Sequence, residues 1–331
     1  MQLNKINQCR SVFRASVVIP VLNSPDKLCA ALEGLCSQQT SFHFETVVVD
    51  DGSTIDLMPI RDKFASLLSL TWIRLERNGG PARARNIGVE AATGEIILFT
   101  DADCVPACDW VQKMVFPFED SSVVGAKGAY VSNQSDLWAR LAQLEFEERY
   151  QLLMSQSDID FIDTYSGAYR KDVFIAAGGF DCSFSRPDNE DVDLSFRVKK
   201  IGGRFVFVAD ALVEHTHREG WSAYARLKFG RGFWRMKVYR KHPEKACNDS
   251  YTPFSLKLQM ALIALLPFVL VMRGSKFIWK SCWLFSCVPM MRIALPERPL
   301  LAVMTPIFCF VRALALISGM LCGIYEALKR A

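Results

Sequence analysis

Short apolar runs rich in β-branched residues alternate with stretches of helical spacing through roughly residue 215. Ser16 to Pro20 (SVVIP), Thr46 to Val49 (TVVV) and Ile96 to Thr100 (IILFT) are each short, continuous and apolar. That is the pattern of strands covered on both faces. Between the first two, Ser24 to Gln38 sets Leu28, Leu32 and Leu35 at helical spacing, with Asp26 near the start. Strand, helix, strand in this order predicts an α/β fold with a mostly parallel central sheet and right-handed crossovers. Ligands on such sheets bind beyond the carboxyl ends of the strands. The polar residues that follow each strand are therefore the candidates: Asn23, then Asp50-Asp51-Gly52-Ser53, then Asp101-Ala102-Asp103.

The pattern changes near Ser255. Leu256 to Met272 is apolar apart from Lys257 and Gln259, Phe277 to Met291 is shorter and holds Lys280, and Leu300 to Tyr325 is long but interrupted by Arg312. A membrane span needs ~20 predominantly apolar residues. The last segment meets that length, the first nearly does, and the middle one reads as re-entrant or interfacial. Ahead of them, Arg226 to Lys245 mixes Arg and Lys with Phe229, Phe233, Trp234 and Tyr239, a composition suited to a headgroup-level surface. A solvated helix face followed by a buried helical bundle is the competing reading. Three regions follow: an α/β body over 14–225, a basic and aromatic interfacial segment over 226–254, and hydrophobic membrane helices over 255–328. Arg273 and Lys276, after the first apolar segment, disfavour placing that loop outside.

A net charge of +4 on 331 residues makes no case for nucleic-acid binding. Half the residues are hydrophobic, yet charge is spread evenly through the first three-quarters, as in a globular body rather than a polytopic membrane protein. The 11 cysteines lack paired spacing, which points to reduced thiols rather than a disulfide framework. Met1 to Arg14 is polar and mixed, without the apolar core of a signal peptide, so the body is expected to stay on the side where it is made.

Two carboxylates two residues apart at a strand end, Asp101 and Asp103, can converge on one hard cation and so neutralise a leaving diphosphate. An acidic turn after a strand is also common without any ion. Asn189-Glu190-Asp191-Val192-Asp193 precedes the helical run Leu194 to Ile201. Carboxylates there either serve the helix start or supply a general base for an acceptor hydroxyl. His215 and His217 follow the apolar strand Phe205 to Val208, which can return them to the site as metal ligands. Gly79 to Asn86 is a glycine turn entering a helix, where the amides and Arg83 or Arg85 can meet phosphate or stay solvated.

Together these stretches resemble the family 2 glycosyltransferases with the Rossmann-like GT-A fold. The matching pieces are SVVIPVLN (16–23), VVVDDGS (47–53), GGPARARNIG (79–88), LFTDADC (98–104), SGAYRKDVF (166–174), GGFD (178–181) and EDVDLSFR (190–197), in the family's order across about 14–220. The resemblance implies that Pro20, Asn23, Asp51, Gly80, Arg83, Asp101 and Ala102 bind a nucleotide-sugar, with Asp51 directed at the base and Asn23 bracing that pocket. It implies Asp103 and His215 as ligands of Mn²⁺ or Mg²⁺. His215 is preferred over His217, by likeness of the segment from Glu190 to His215 to the animal polypeptide GalNAc-transferases and the chondroitin polymerases. It also implies Asp191 as catalytic base with Glu190 beside it near the acceptor, and an inverting outcome. One departure is the absence of a Q-x-x-R-W motif like that of the processive synthases; the nearest stretch is Arg231-Gly232-Phe233-Trp234-Arg235. Transfer of a single sugar to a saccharide or lipid-linked acceptor is therefore expected, on the cytoplasmic side of a bacterial inner membrane. A nucleotidyltransferase and a catalytically inactive scaffold are the alternatives.

Overall fold

The computed structural model describes residues 14–184, 189–246, 249, 251–272 and 274–329. The stretch read for a signal peptide, all but Arg14, lies outside them, as does Arg273. The chain order is β1 (Ala15–Val21), α1 (Pro25–Cys36), β2 (Phe44–Asp50), α2 (Met58–Phe64), β3 (Leu70–Arg74), α3 (Pro81–Ala91), β4 (Ile96–Phe99), β5 (Cys104–Pro106) and α4 (Trp110–Val115). Then come β6 (Val123–Val131), α5 (Leu137–Met154), β7 (Gly167–Arg170), α6 (Lys171–Ala176), α7 (Glu190–Ile201), β8 (Arg204–His215) and α8 (Trp221–Lys241). Three helices close the chain: α9 (Phe254–Val271), α10 (Ser275–Ala294) and α11 (Pro299–Lys329).

One sheet runs β3-β2-β1-β4-β7-β6-β8-β5. Its first half is parallel, as the strand–helix–strand pattern predicts, with Val18 paired to Val47 and to Phe99. Beyond β4 the sheet is mixed rather than mostly parallel. β7 is antiparallel to both neighbours and β5 is antiparallel to β8. The valine and isoleucine runs of β1, β2 and β4 are fully buried; α3 packs on β1 and β2, and α1 on β5. Burial on both faces is why these strands lack polar alternation. β8 extends well past its apolar start and ends on His215 itself.

A second core joins the body to the carboxyl-terminal helices. Leu141 and Leu144 of α5 and Tyr224 of α8 pack with Ile263, Trp283, Cys287, Phe308 and Ala313. α8, which crosses the 225/226 boundary drawn from composition, lies against α11 backbone to backbone. A Cβ on Gly319 would sit 2.0 Å from the Phe229 carbonyl oxygen, and one on Gly232 would sit 2.2 Å from that of Leu316. Gly319 and Gly323 form a small-xxx-small seam of the kind that lets helices approach closely in lipid. Arg312, which interrupts the apolar run, is buried and donates to Gln259 Oε1 at 2.8 Å. Its Nη1 also lies 3.8 Å from Glu148 and 4.0 Å from Glu145, both on α5. α9 and α11 are long and apolar enough to cross a membrane, with mean hydropathy of 2.1 and 2.3. Their outer faces expose large apolar side chains, Phe268, Val271, Val303 and Leu321 among them.

Gly319→Val is expected to lower stability by ~1–3 kcal/mol or more, because the added side chain meets backbone that has no rotamer in which to retreat. Leu321→Val, on the exposed face of the same helix, should stay within about 0.5 kcal/mol. Thermal unfolding of both variants in detergent checks the pair, and equal midpoints would refute the close seam.

Candidate functional site

The short strand β5 positions the acidic loop. β4 ends at Phe99, the Cys104 amide closes a turn onto the Asp101 carbonyl at 3.0 Å, and Cys104 then pairs across to His215 in the β5–β8 ladder. This register brings Asp103 Oδ1 to 3.7 Å from His215 Nδ1. Ligand atoms of Asp103, Cys104 and His215 all fall within 4.8 Å of one another. Two ligands of one ion at about 2.2 Å each stand roughly 3 to 4 Å apart, so the carboxylate and the imidazole can share a cation. Burial, with the charges of Asp101 and Asp103, pushes the Cys104 thiol well above its usual value. It is thus a neutral neighbour; the carboxylate oxygen suits Mn²⁺ or Mg²⁺, and the imidazole nitrogen favours the transition metal of the two. Lys27 Nζ, 3.4 Å from Asp103 Oδ2, already brings a positive charge to this corner.

His217 faces elsewhere. Its Nε2 lies 2.9 Å from Gln143 Oε1 and its ring stacks on Phe146. Burial, then the neighbouring His215, holds its pKa down at about 3, so the ring is neutral. Two positions apart, the two histidines would share a face of a continued strand, but β8 ends at His215, and of the two only His215 meets Asp103.

The acidic cluster at 189–193 divides its labour at the start of α7. Asp193 is fully buried and structural, accepting from Arg197 Nε at 2.9 Å and lying 3.1 Å from His242 Nε2. Glu190 is buried and accepts from Arg85 Nη1 at 3.0 Å, while Arg85 Nη2 donates to Asp101 at 2.6 Å. Arg85 thus forks two carboxylates from distant elements. Burial works against its charge, but Asp101 and Glu190 outweigh it and hold the guanidinium above its ordinary value. Asp191 is half-buried and, among the described residues, forms no ion pair of this kind. Burial, then Glu190 and Asp163, pushes its pKa up to about 8. A cavity of about 190 Å³ collects Asp101, Asp191, His215 and Arg231. A neighbouring one of about 260 Å³ holds Lys27, Asp103 and His217, and the two share His215, Tyr130, Phe146 and Arg231.

The remaining sequence candidates lie at the ends of β1 and β2. Asn23, at φ 51°, accepts from the Thr54 amide at 2.9 Å and donates its own amide to Ser53 Oγ at 2.9 Å. It braces the loop after β2, beside the half-buried Pro20. Asp51 is buried, and its two oxygens accept the Gly79 and Gly80 amides at 2.8 Å each. Those amides, read from the sequence as phosphate donors, are therefore spent on Asp51. Ala102 is buried in the core between the two aspartates. Arg83 is exposed and faces a separate cavity of about 510 Å³ with Arg74 and Arg77.

Sequence reasoning missed Lys27, the forked role of Arg85, and the buried pair Lys127–Asp163, whose lysine also donates to Tyr165 OH at 2.8 Å. Cys104, directly after the two aspartates, was legible as a neighbour of the ion site. The others needed their partners in space.

Residues 16–177 match the family model described as glycosyl transferase family 2. The hyaluronan synthase of Pasteurella multocida is 26% identical over 240 residues, covering 62% of this chain and 25% of that protein. The pre-mycofactocin glycosyltransferase of Mycobacterium tuberculosis is 27% identical over 241 residues, covering 70% of this chain and 48% of that one. The chain therefore spans less than half of either relative. Among solved structures, the mannosyltransferase PcManGT from Pyrobaculum calidifontis, in complex with GDP-Man and Mn²⁺, shares 17% identity at a TM-score of 0.63, over 95% of this chain and 88% of that one. S. aureus TarS 1-349 in complex with UDP shares 18% identity at 0.52, over 96% and 92%. These two likenesses concern the fold. Motif order, sheet topology and the family match agree: the chain belongs to the family 2 glycosyltransferases and has their GT-A fold.

Proposed function

We propose that the protein transfers a single sugar from a nucleotide diphosphate donor to an acceptor hydroxyl with inversion, using Mn²⁺ or Mg²⁺, at a membrane surface. The 3.7 Å approach of Asp103 to His215, beside a cavity that also holds Asp191, carries this reading. A divalent cation bound there supplies the charge that neutralises a departing diphosphate. Arg85 holds Asp101 and Glu190 in place through one hydrogen bond to each. Asp191 accepts the proton of the acceptor hydroxyl. The oxygen then forms its bond to the anomeric carbon as the bond to the diphosphate breaks, and the electron pair leaves with the phosphate. Asp51, Asn23 and Pro20 form the end of the sheet offered to the nucleoside. Each oxygen of Asp51 keeps a lone pair beyond its glycine amide, enough to accept from a base. Arg83, with Arg74 and Arg77, lines the adjoining positive wall. GDP-Man or UDP in the solved neighbours supports a nucleotide-sugar, and Mn²⁺ in one supports the cation.

The apolar outer faces of α9 and α11 support membrane attachment, and with it a saccharide acceptor presented at that surface; the catalytic body is assigned to the cytoplasmic side on the polar character of Met1 to Arg14.

Incubation with nucleotide-sugars and divalent metal tests the reading. Release of nucleoside diphosphate is expected, whereas pyrophosphate from a nucleoside triphosphate would indicate nucleotidyl transfer. Donor binding that never leads to turnover with any acceptor would indicate an inactive scaffold.

Asp191→Asn should lower kcat about a hundredfold or more while donor binding persists; normal turnover would remove Asp191 as base. Only ionised Asp191 accepts a proton, so kcat/KM should rise with pH through about 8 and level off above. A profile flat between about pH 6 and 9 counts against the assignment. His215→Ala should raise the Mn²⁺ concentration for half-maximal activity by about tenfold or more, read by metal titration after chelation. His217→Ala should change it little.

A further inference from the structure

Away from the catalytic cavities, three reactive side chains converge where α1 packs on α2. Cys29 and Glu33 stand four residues apart on α1 and so share a face, and Lys63 reaches them from α2. Lys63 Nζ donates to Glu33 Oε1 at 2.8 Å and to Cys29 Sγ at 3.3 Å. Cys29 Sγ in turn donates to Glu33 Oε1 at 3.6 Å. Glu33 thus holds the lysine nitrogen against the sulfur. Cys29 is half-buried while Glu33 and Lys63 are exposed, so small solutes reach the group. Cys36, Cys108 and Cys182 are exposed as well, but among the described residues none of them accepts from a lysine.

Sulfur and nitrogen 3.3 Å apart stand at the separation of a near-attack pair. A thiol oxidised to sulfenic acid carries an electrophilic sulfur, which a neighbouring nitrogen can close into a sulfenamide. A lysine amine is a suitable nucleophile. We propose that Cys29 and Lys63 form a modification site at which a peroxide joins them through a sulfur–nitrogen bond that thiols reverse. In the first step the sulfur bonds to one peroxide oxygen, the O–O bond breaks and water leaves. In the second the neutral amine attacks that sulfur. The S–N bond forms, the S–O bond breaks, and the departing hydroxide takes a proton from nitrogen and leaves as water. One thiol, one amine and one hydrogen peroxide thus give one sulfenamide and two waters, with sulfur oxidised and peroxide reduced. The hydrogen bond to Glu33 holds the Lys63 ammonium above its ordinary value, so the second step quickens as rising pH frees the amine. The link ties α2 to α1, the helix whose Lys27 reaches Asp103.

The test treats the full chain in non-ionic detergent with hydrogen peroxide at about pH 8.5, followed by digestion and peptide mass mapping. The peptides carrying Cys29 and Lys63 are expected to appear joined, about 2 Da lighter than their sum, and to separate on treatment with dithiothreitol. Cys36→Ser should keep the joined species. Lys63→Arg, which retains the charge beside Glu33 but offers no amine, should abolish it. The sulfenic acid then persists, so labelling of Cys29 by dimedone, which traps that acid, should rise about fivefold or more over the unaltered protein. A disulfide from Cys29 to Cys36, sulfinic acid at Cys29 with Lys63 unmodified, or Cys29 left unoxidised while Cys108 and Cys182 react would each overturn the proposal. So would equal dimedone labelling with and without the lysine. If Lys63→Arg does not fold, the peptide map of the unaltered protein decides alone.

Discussion

The antiparallel pairing of β5 with β8 is the constraint on which the site rests. A three-residue strand places Cys104 opposite His215, and that single register sets Asp103 against an imidazole more than a hundred positions further along the chain. A shift of one residue would turn His215 to the opposite face and present its neighbour instead. β8 is held from its other side by β6, and β6 in turn by β7, so the register is fixed by the sheet interior rather than by the short edge strand. Close approach of ligand atoms here is a property of the whole sheet.

Buried charge organises the rest. Arg85 draws Asp101 and Glu190 together across the cavity, and removing it would leave two carboxylates, that of Glu190 buried, without this compensation. Asp191, next in the chain, receives no such partner among the described residues, and burial beside Glu190 and Asp163 raises its pKa. Glu145 plays the comparable part between body and tail. It accepts from Tyr224 at 2.6 Å as well as from Arg149 and Lys228, and Arg312 of α11 approaches it from the other side. An arginine inside an apolar helix is costly unless paired. Here it ties the carboxyl-terminal helices, with their exposed apolar surface, to α5.

Much of this was legible one element at a time. SVVIP, TVVV and IILF announce buried strands through their valines and isoleucines, and the acids that follow β2 and β4 stand at the carboxyl ends of those strands. Asn23 braces the loop after β2, and His215 rather than His217 meets Asp103. Less was legible where one residue type serves several ends. Glu190, Asp191 and Asp193 look alike in a line of text, yet one is forked to Arg85, one faces a cavity and one anchors α7 to His242. Gly79 and Gly80 resemble phosphate donors, but their amides bind Asp51. The basic and aromatic stretch reads as surface, although Gly232 lies against the α11 backbone and Lys228 is buried.

Taken alone, the sequence determined what local periodicity and composition encode: the strands and helices of the α/β body, the order of its acidic motifs, and the apolar character of the last third. Tertiary structure alone decided which charges meet. The mixed half of the sheet, the facing of Cys104 and His215, the fork at Arg85 and the seam of glycines between α8 and α11 all join residues far apart in the chain. Hydrophobic periodicity is written within an element, because each side chain meets its own helix or strand neighbours. The partner of a charge is set by packing between elements, and no spacing along the chain records it.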